Sequence, residues 1–228
     1  MTPDLARTPR HGSHEAPADP RLERSAVELL GASRDLVREI HRTDDQTIRD
    51  QIEVTSIPAP PFGEEARGAW MAERLAEYGA LDLHTDAVGN VVGRLPGGDP
   101  GRAPIVIAAH LDTVFPAGVD VTPRWEGDRI VAPGISDDGR GLTALLTLVR
   151  VLAAEERTVP VIVAATVGEE GVGDLRGVRA LFGTGGAAER AGAFVSLDGA
   201  GVTRVISAGV GSRRRRVRVR GPGGHSWV

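Results

Sequence analysis

Three apolar runs set the limits on what this chain can fold into. Residues 104–109, 159–167 and 193–197 are short and nearly continuously apolar. That is the pattern of strands buried on both faces, not of strands with one wet face. Residues 141–154, between the first two, form a strongly apolar helix by length and spacing. Buried strands alternating with helices imply an α/β fold, a mixed and mostly parallel sheet flanked by helices. Upstream, the spacing predicts helices over 25–42, interrupted at Gly31, and over 45–56. The run Ile57-Pro58-Ala59-Pro60-Pro61 ends the second, because prolines remove donors and force extended backbone. Residues 64–78 read as an amphipathic helix with Trp70, Met71, Leu75 and Tyr78 on its apolar side and Gly79 as its C-cap. Short strands are expected at 81–85, 88–94 and 129–131, and later ones at 203–208 and 212–220.

Composition narrows the chemistry. The chain has 228 residues, 41% of them hydrophobic, enough for a real core. A net charge of −4 gives no global attraction to nucleic acid or to an anionic membrane. There are no cysteines, so disulfides and thiolate ligands are excluded and any metal must be held by His and carboxylates. No run is long and apolar enough to span a bilayer. Residues 1–24 are rich in Pro, Arg, His and Asp and lack the apolar segment of a secretory signal. They read as a disordered leader, with His11 and His14 in a solvated tail, and the expected location is cytoplasmic.

The ends of the apolar runs carry the functional signal. His110 and Asp112 follow the first, Glu169 and Glu170 the second, and Asp198 the third. Ligands of open α/β sheets bind outside the carboxyl ends of parallel strands, so these residues converge if the strands are parallel neighbours. Asp137, in the loop before the 141–154 helix, can reach the same rim. Histidine and carboxylates suit zinc, manganese or cobalt, and one carboxylate can bridge two such ions. Of two adjacent glutamates, one can coordinate while the other moves protons. A carboxylate at Asp112 can accept the second imidazole N–H of His110 and fix its tautomer. Singly, each motif has a bland reading: paired acids are commonly a solvated face, and an Asp after a strand is commonly an N-cap. Their order and shared placement argue for a metal site.

On these motifs the chain resembles the M20 family of metallopeptidases, especially its tripeptidase-like and carboxypeptidase-like branches, over residues 34–228. The resemblance implies a zinc-exopeptidase-like catalytic domain at 25–211, with the start of a lid or dimerisation domain at 212–228. It implies that His110 and Asp198 hold one metal, that Glu170 holds a second, and that Asp137 bridges both. Glu169 would be the general base and Asp112 the partner of His110, with a cis peptide between Asp137 and Asp138. Many relatives have Lys after the paired aspartates, where this chain has Gly139-Arg140.

The motif Gly223-Gly224-His225-Ser226 marks the lid in this resemblance, with His225 helping to stabilise the oxyanion, often in a partner subunit's site. Read without the resemblance, it is a turn with an exposed His. Arg214, Arg216, Arg218 and Arg220 share one face of the preceding strand. A solvated lid face fits them better than a nucleic-acid surface, because no stacking aromatics are interleaved. The resemblance implies further chain beyond Val228, including a last histidine ligand, so the chain is expected to be C-terminally truncated. The implied activity is hydrolysis of an amide bond in small peptides by water activated at two divalent ions. N-acyl amino acids or carbamoyl compounds are the alternative substrates, and a catalytically incomplete metal-binding or interaction module is the alternative to an enzyme. A homodimer formed through the lid is the expected assembly.

Overall fold

Period-two alternation along the apolar strands builds a sheet with two covered faces. The computed structural model describes residues 33–199, with Glu28, Gly31 and a few positions between 205 and 224. Three helices come first: α1 (Arg34–Arg42), α2 (Asp44–Thr55) and α3 (Glu65–Glu77). The strands β1 (Leu81–Thr85), β2 (Val91–Arg94), β3 (Ile105–His110), β4 (Arg124–Glu126) and β5 (Arg129–Val131) follow. Then come α4 (Gly139–Leu152), β6 (Val161–Thr166), a 3-10 turn (Gly171–Gly173), α5 (Arg176–Phe182) and β7 (Ala193–Ser196).

Five strands hydrogen-bond in the order β1-β2-β6-β3-β7. β6, β3 and β7 are mutually parallel, and β2 and β1 add antiparallel at one edge. Val91, Ala109, Val163 and Ala165 face Met71, Leu75, Leu142, Leu145, Leu146 and Val149 of α3 and α4 in one core cluster. Val92, Val106, Ala108 and Ala164 point the other way, onto Leu181 of α5 and Ala188. Each fully buried Leu or Val contributes about 1.5–3 kcal/mol relative to exposure. The parallel register pairs His110 of β3 with Thr166 of β6 and Ala108 of β3 with Ser196 of β7. Three strands therefore end along one rim.

The expected α/β sheet flanked by helices is the observed one. Residues 88–90, expected in strand, belong to a turn in which Oδ1 of Asp86 accepts the N–H groups of Val88, Gly89 and Asn90. β4, which completes a hairpin with β5, and α5 were not expected. α5 has seven residues, too few for a 3.6-residue repeat to show. The expected leader and His225 lie outside the described residues, as do half of 203–208 and most of 212–220. Val205, Ile206 and Val217, described within those stretches, are exposed and in neither helix nor strand. No helix among the described residues is long and apolar enough to cross a membrane.

Candidate metal centre

His110 is the last residue of β3, and its side chain is 3% exposed. Its Nδ1 lies 2.9 Å from the main-chain carbonyl oxygen of Asp112. A carbonyl only accepts, so Nδ1 carries a proton and donates it there. Nε2 faces outward, 2.9 Å from Oδ1 of Asp137 and 3.8 Å from Oδ1 of Asp198. Burial alone would lower the imidazole pKa. The carboxylates of Asp112, Asp198 and Asp138 override it and raise the pKa to about 11. Asp198, half-exposed beyond β7, is held below its ordinary range by His110.

The carboxylate of Asp112 does something the sequence did not announce. It stands 3.6 Å from Nδ1 of His110, while the main-chain oxygen of the same residue takes the imidazole hydrogen bond. Its two oxygens instead accept the N–H groups of Glu169 and Glu170, at 2.9 and 2.8 Å. The chain leaving β6 thus crosses the end of β3 and is caught there. Burial works to raise the Asp112 pKa, but His110 and these two N–H groups together lower it.

Asp138 caps α4: Oδ1 accepts from the N–H of Gly141, and Oδ2 accepts the N–H of His110. Burial drives its pKa up to about 8. The peptide bond joining Asp137 to Asp138 is cis. Burial also raises Glu169 and Glu170, helped by the neighbouring carboxylates of Asp198, Asp112 and Asp137 for Glu169, and of Asp137 and Glu169 for Glu170.

Two groupings bring ligand atoms within 4.8 Å of one another: His110 with Asp138 and Asp198, and His110 with Glu169 and Glu170. All donors are imidazole nitrogen or carboxylate oxygen, a set that suits a divalent ion such as zinc or manganese. A cluster of acids around one histidine whose Nε2 faces them is the charge pattern such an ion neutralises, so the residues present fit one. Both oxygens of Asp138 already accept main-chain N–H groups, whereas Asp137 is exposed and makes its contact with Nε2 of His110. His41 and His84 are exposed on α1 and β1.

Three supporting residues escaped the sequence reading. Arg67, fully buried on α3, donates to the carbonyl oxygens of Ile57 and Leu111. Burial lowers its pKa to about 10, against the pull of Asp112 and Asp138. Arg176 donates to both carboxylate oxygens of Glu64 at 2.8 Å and stacks on Phe62. Asn90, fully buried, reaches the chain leaving β6. An arginine on an amphipathic helix reads as solvated, so periodicity carries no sign of Arg67. The glycine-flanked Asn90 carries only a turn signal.

The sequence profile of peptidase family M28 matches residues 90–215, more than half of the chain. This chain belongs to peptidase family M28. The matched span contains β3, β6 and β7 and every residue of the cluster. The chain is also 26% identical to carboxypeptidase G2 of a Pseudomonas species in an alignment 181 residues long that covers 74% of this chain and 39% of that protein. Among solved structures, aminopeptidase PepT from Bacillus cereus matches with a TM-score of 0.53 at 21% identity, over 69% of this chain and 44% of that one. The di-peptidase Dug1p from Saccharomyces cerevisiae matches with a TM-score of 0.58 at 15% identity, over 72% of this chain and 40% of that one. The metallopeptidase resemblance read from the motifs stands, with a carboxypeptidase among the matches and a Staphylococcus aureus tripeptidase among the similar folds, at a TM-score of 0.52 and 21% identity over 69% of this chain and 44% of that one. The chain spans about two fifths of the length of these relatives.

Proposed function

We propose that this chain carries the catalytic portion of a metal-dependent exopeptidase that hydrolyses an amide bond in small peptides. The observation that carries the reading is the meeting of His110, Asp137, Glu169, Glu170 and Asp198 around the imidazole at the carboxyl ends of three parallel strands. Membership in a peptidase family and the peptidase-like fold support it.

His110 and Asp198 would hold one divalent ion, Glu170 a second, and Asp137 both, with zinc the best fit and manganese or cobalt the alternatives. Such ions, when bound, supply Lewis acidity that polarises a carbonyl and brings the pKa of water to about 7. The main-chain oxygen of Asp112 holds the Nδ1 proton of His110 and so leaves Nε2 as the nitrogen that faces the carboxylates and would meet an ion. Asp112 also fixes the turn that aims Glu169 and Glu170 into the cluster. Glu169 accepts a proton from the attacking water and returns it to the leaving nitrogen. Its half-buried setting raises its proton affinity, which suits a group that must both take and give. His225 is assigned the oxyanion-stabilising role, with residues 25–211 as the catalytic domain and 212–228 as the start of a lid through which two copies pair.

The test combines calorimetric titration with zinc and turnover of tripeptides and N-acetyl amino acids. Two tight sites and peptide turnover support the reading, and preference for N-acetyl amino acids would move the substrate class. Glu169→Ala should lower turnover by at least about 100-fold while leaving zinc affinity within a few-fold, since a general base contributes about 10²–10⁴. Loss of both zinc sites in that variant would make Glu169 a ligand and overturn the assignment of roles.

A further inference from the structure

Asn90 is the one buried amide that ties the β1–β2 turn to the loop carrying Glu169 and Glu170. Its Oδ1 accepts the N–H of Val167 at 3.0 Å. Its Nδ2 donates to the carbonyl oxygen of Gly177 at 3.0 Å and to Oδ2 of Asp86 at 2.7 Å. The amide has a single workable orientation, because Val167 offers a donor while Gly177 and Asp86 offer acceptors. Asp86 is itself committed, since its Oδ1 accepts the N–H groups of Val88, Gly89 and Asn90. The clamp is closed from behind: the N–H of Gly177 donates to the carbonyl oxygen of Val167. A Cβ at Gly177 would stand 2.3 Å from Oδ1 of Asn90 and 2.6 Å from the oxygen of Val167, so the approach is available to glycine alone.

Val167 lies two residues before Glu169. Beyond it, the N–H groups of Glu169 and Glu170 are held by Asp112. The segment 167–170 is therefore pinned at its start by Asn90 and at its end by Asp112. We propose that Asn90, oriented by Asp86, is a positioning residue that sets where Glu169 and Glu170 stand relative to His110. The reactive geometry of that pair then depends on a side chain that does not enter the cluster. This rests on the peptidase reading only for its catalytic consequence, because the mechanical part stands on hydrogen bonds.

The experiment measures amide hydrogen exchange, zinc binding and steady-state peptide turnover in wild type, Asn90→Ala, Asn90→Asp and the double swap Asp86→Asn/Asn90→Asp. Asn90→Ala should accelerate exchange at Val167, Glu169 and Glu170 by about tenfold or more, leaving Ala108 and Leu145 unchanged, because the loss is local. Turnover should fall about tenfold in kcat with KM changed less than about threefold, since misplacement of the reacting groups acts on the transition state. One zinc site should weaken and the other persist. Asn90→Asp alone sets two carboxylates together. The swap restores a donor at 86 and an acceptor for Val167 but leaves the carbonyl oxygen of Gly177 without its donor, so it should regain exchange protection at Val167 and kcat relative to Asn90→Asp without reaching wild type. Unchanged exchange at 167–170 in Asn90→Ala overturns the proposal, as does accelerated exchange with unaltered kcat and zinc binding. If every amide of Asn90→Ala exchanges fast, the variant has unfolded, and the swap decides: protection at Val167 above that of Asn90→Asp supports the clamp, and none overturns it. A wild-type chain that binds no zinc and turns over no peptide overturns the functional reading, while the exchange result still decides whether Asn90 holds the loop.

Discussion

Asp112 spends its carboxylate on backbone. Asp112→Ala would leave the N–H groups of Glu169 and Glu170 without their acceptor. At about 1–3 kcal/mol for each unpaired donor, the variant should lose roughly 2–6 kcal/mol in urea denaturation. A loss under about 0.5 kcal/mol would mean that water replaces the carboxylate. Tyr78 offers a second test, because it is the chain's single tyrosine. Burial, and then the hydrogen bond to Oδ2 of Asp50, raise its pKa to about 12. The neutral phenol therefore contributes stability that is full below the unfolded pKa of about 10 and is lost as pH rises through the folded value. Alkaline titration followed by phenolate absorbance should show a midpoint near 12 in the folded chain, falling to about 10 in urea. His110, Asp112, Glu169, Glu170 and Asp198 were legible in the sequence because each sits just past an apolar run. Asn90 and Arg67 were not. Their partners are main-chain atoms of Val167 and Leu111, and which main-chain group a side chain meets depends on how distant segments cross.

The connection after β6 shows how tightly short elements are drawn together. Gly173, in the 3-10 turn, approaches Gly168 so closely that a Cβ there would lie 2.4 Å from the Cα of Gly168. The obstacle is backbone, which has no rotamer to yield. Gly173→Ala should therefore push the 168–173 loop outward and destabilise the fold by about 1–3 kcal/mol, the range of overpacking. Zinc binding to the Glu169–Glu170 side should weaken in parallel, and an unaltered denaturation midpoint would refute the contact. The long helices and the parallel strands were predictable, since each holds its period over enough residues to be counted. α5, the 3-10 turn and β4 were not, since three to seven residues carry less than two turns or a single alternation.

Both core clusters rest on the same strands, one on each face of the sheet. Their stabilities should be coupled in one transition. Leu145→Ala on one face and Leu181→Ala on the other should each cost about 2–5 kcal/mol. The double variant should show the sum within about 0.5 kcal/mol, because the sites share no partner. Two separate unfolding transitions would mean that the faces fold independently. Hydrophobic period and strand-end placement were enough to establish an α/β sheet and the location of a histidine–carboxylate centre, because those properties belong to neighbours along the chain. The order β1-β2-β6-β3-β7, the use of the Asp112 carboxylate on the Glu169–Glu170 turn, and the Asp86–Asn90 clamp came from the folded chain alone. Strand order and hydrogen-bond partners join residues far apart in sequence, and no local pattern encodes which of several equally apolar runs become neighbours.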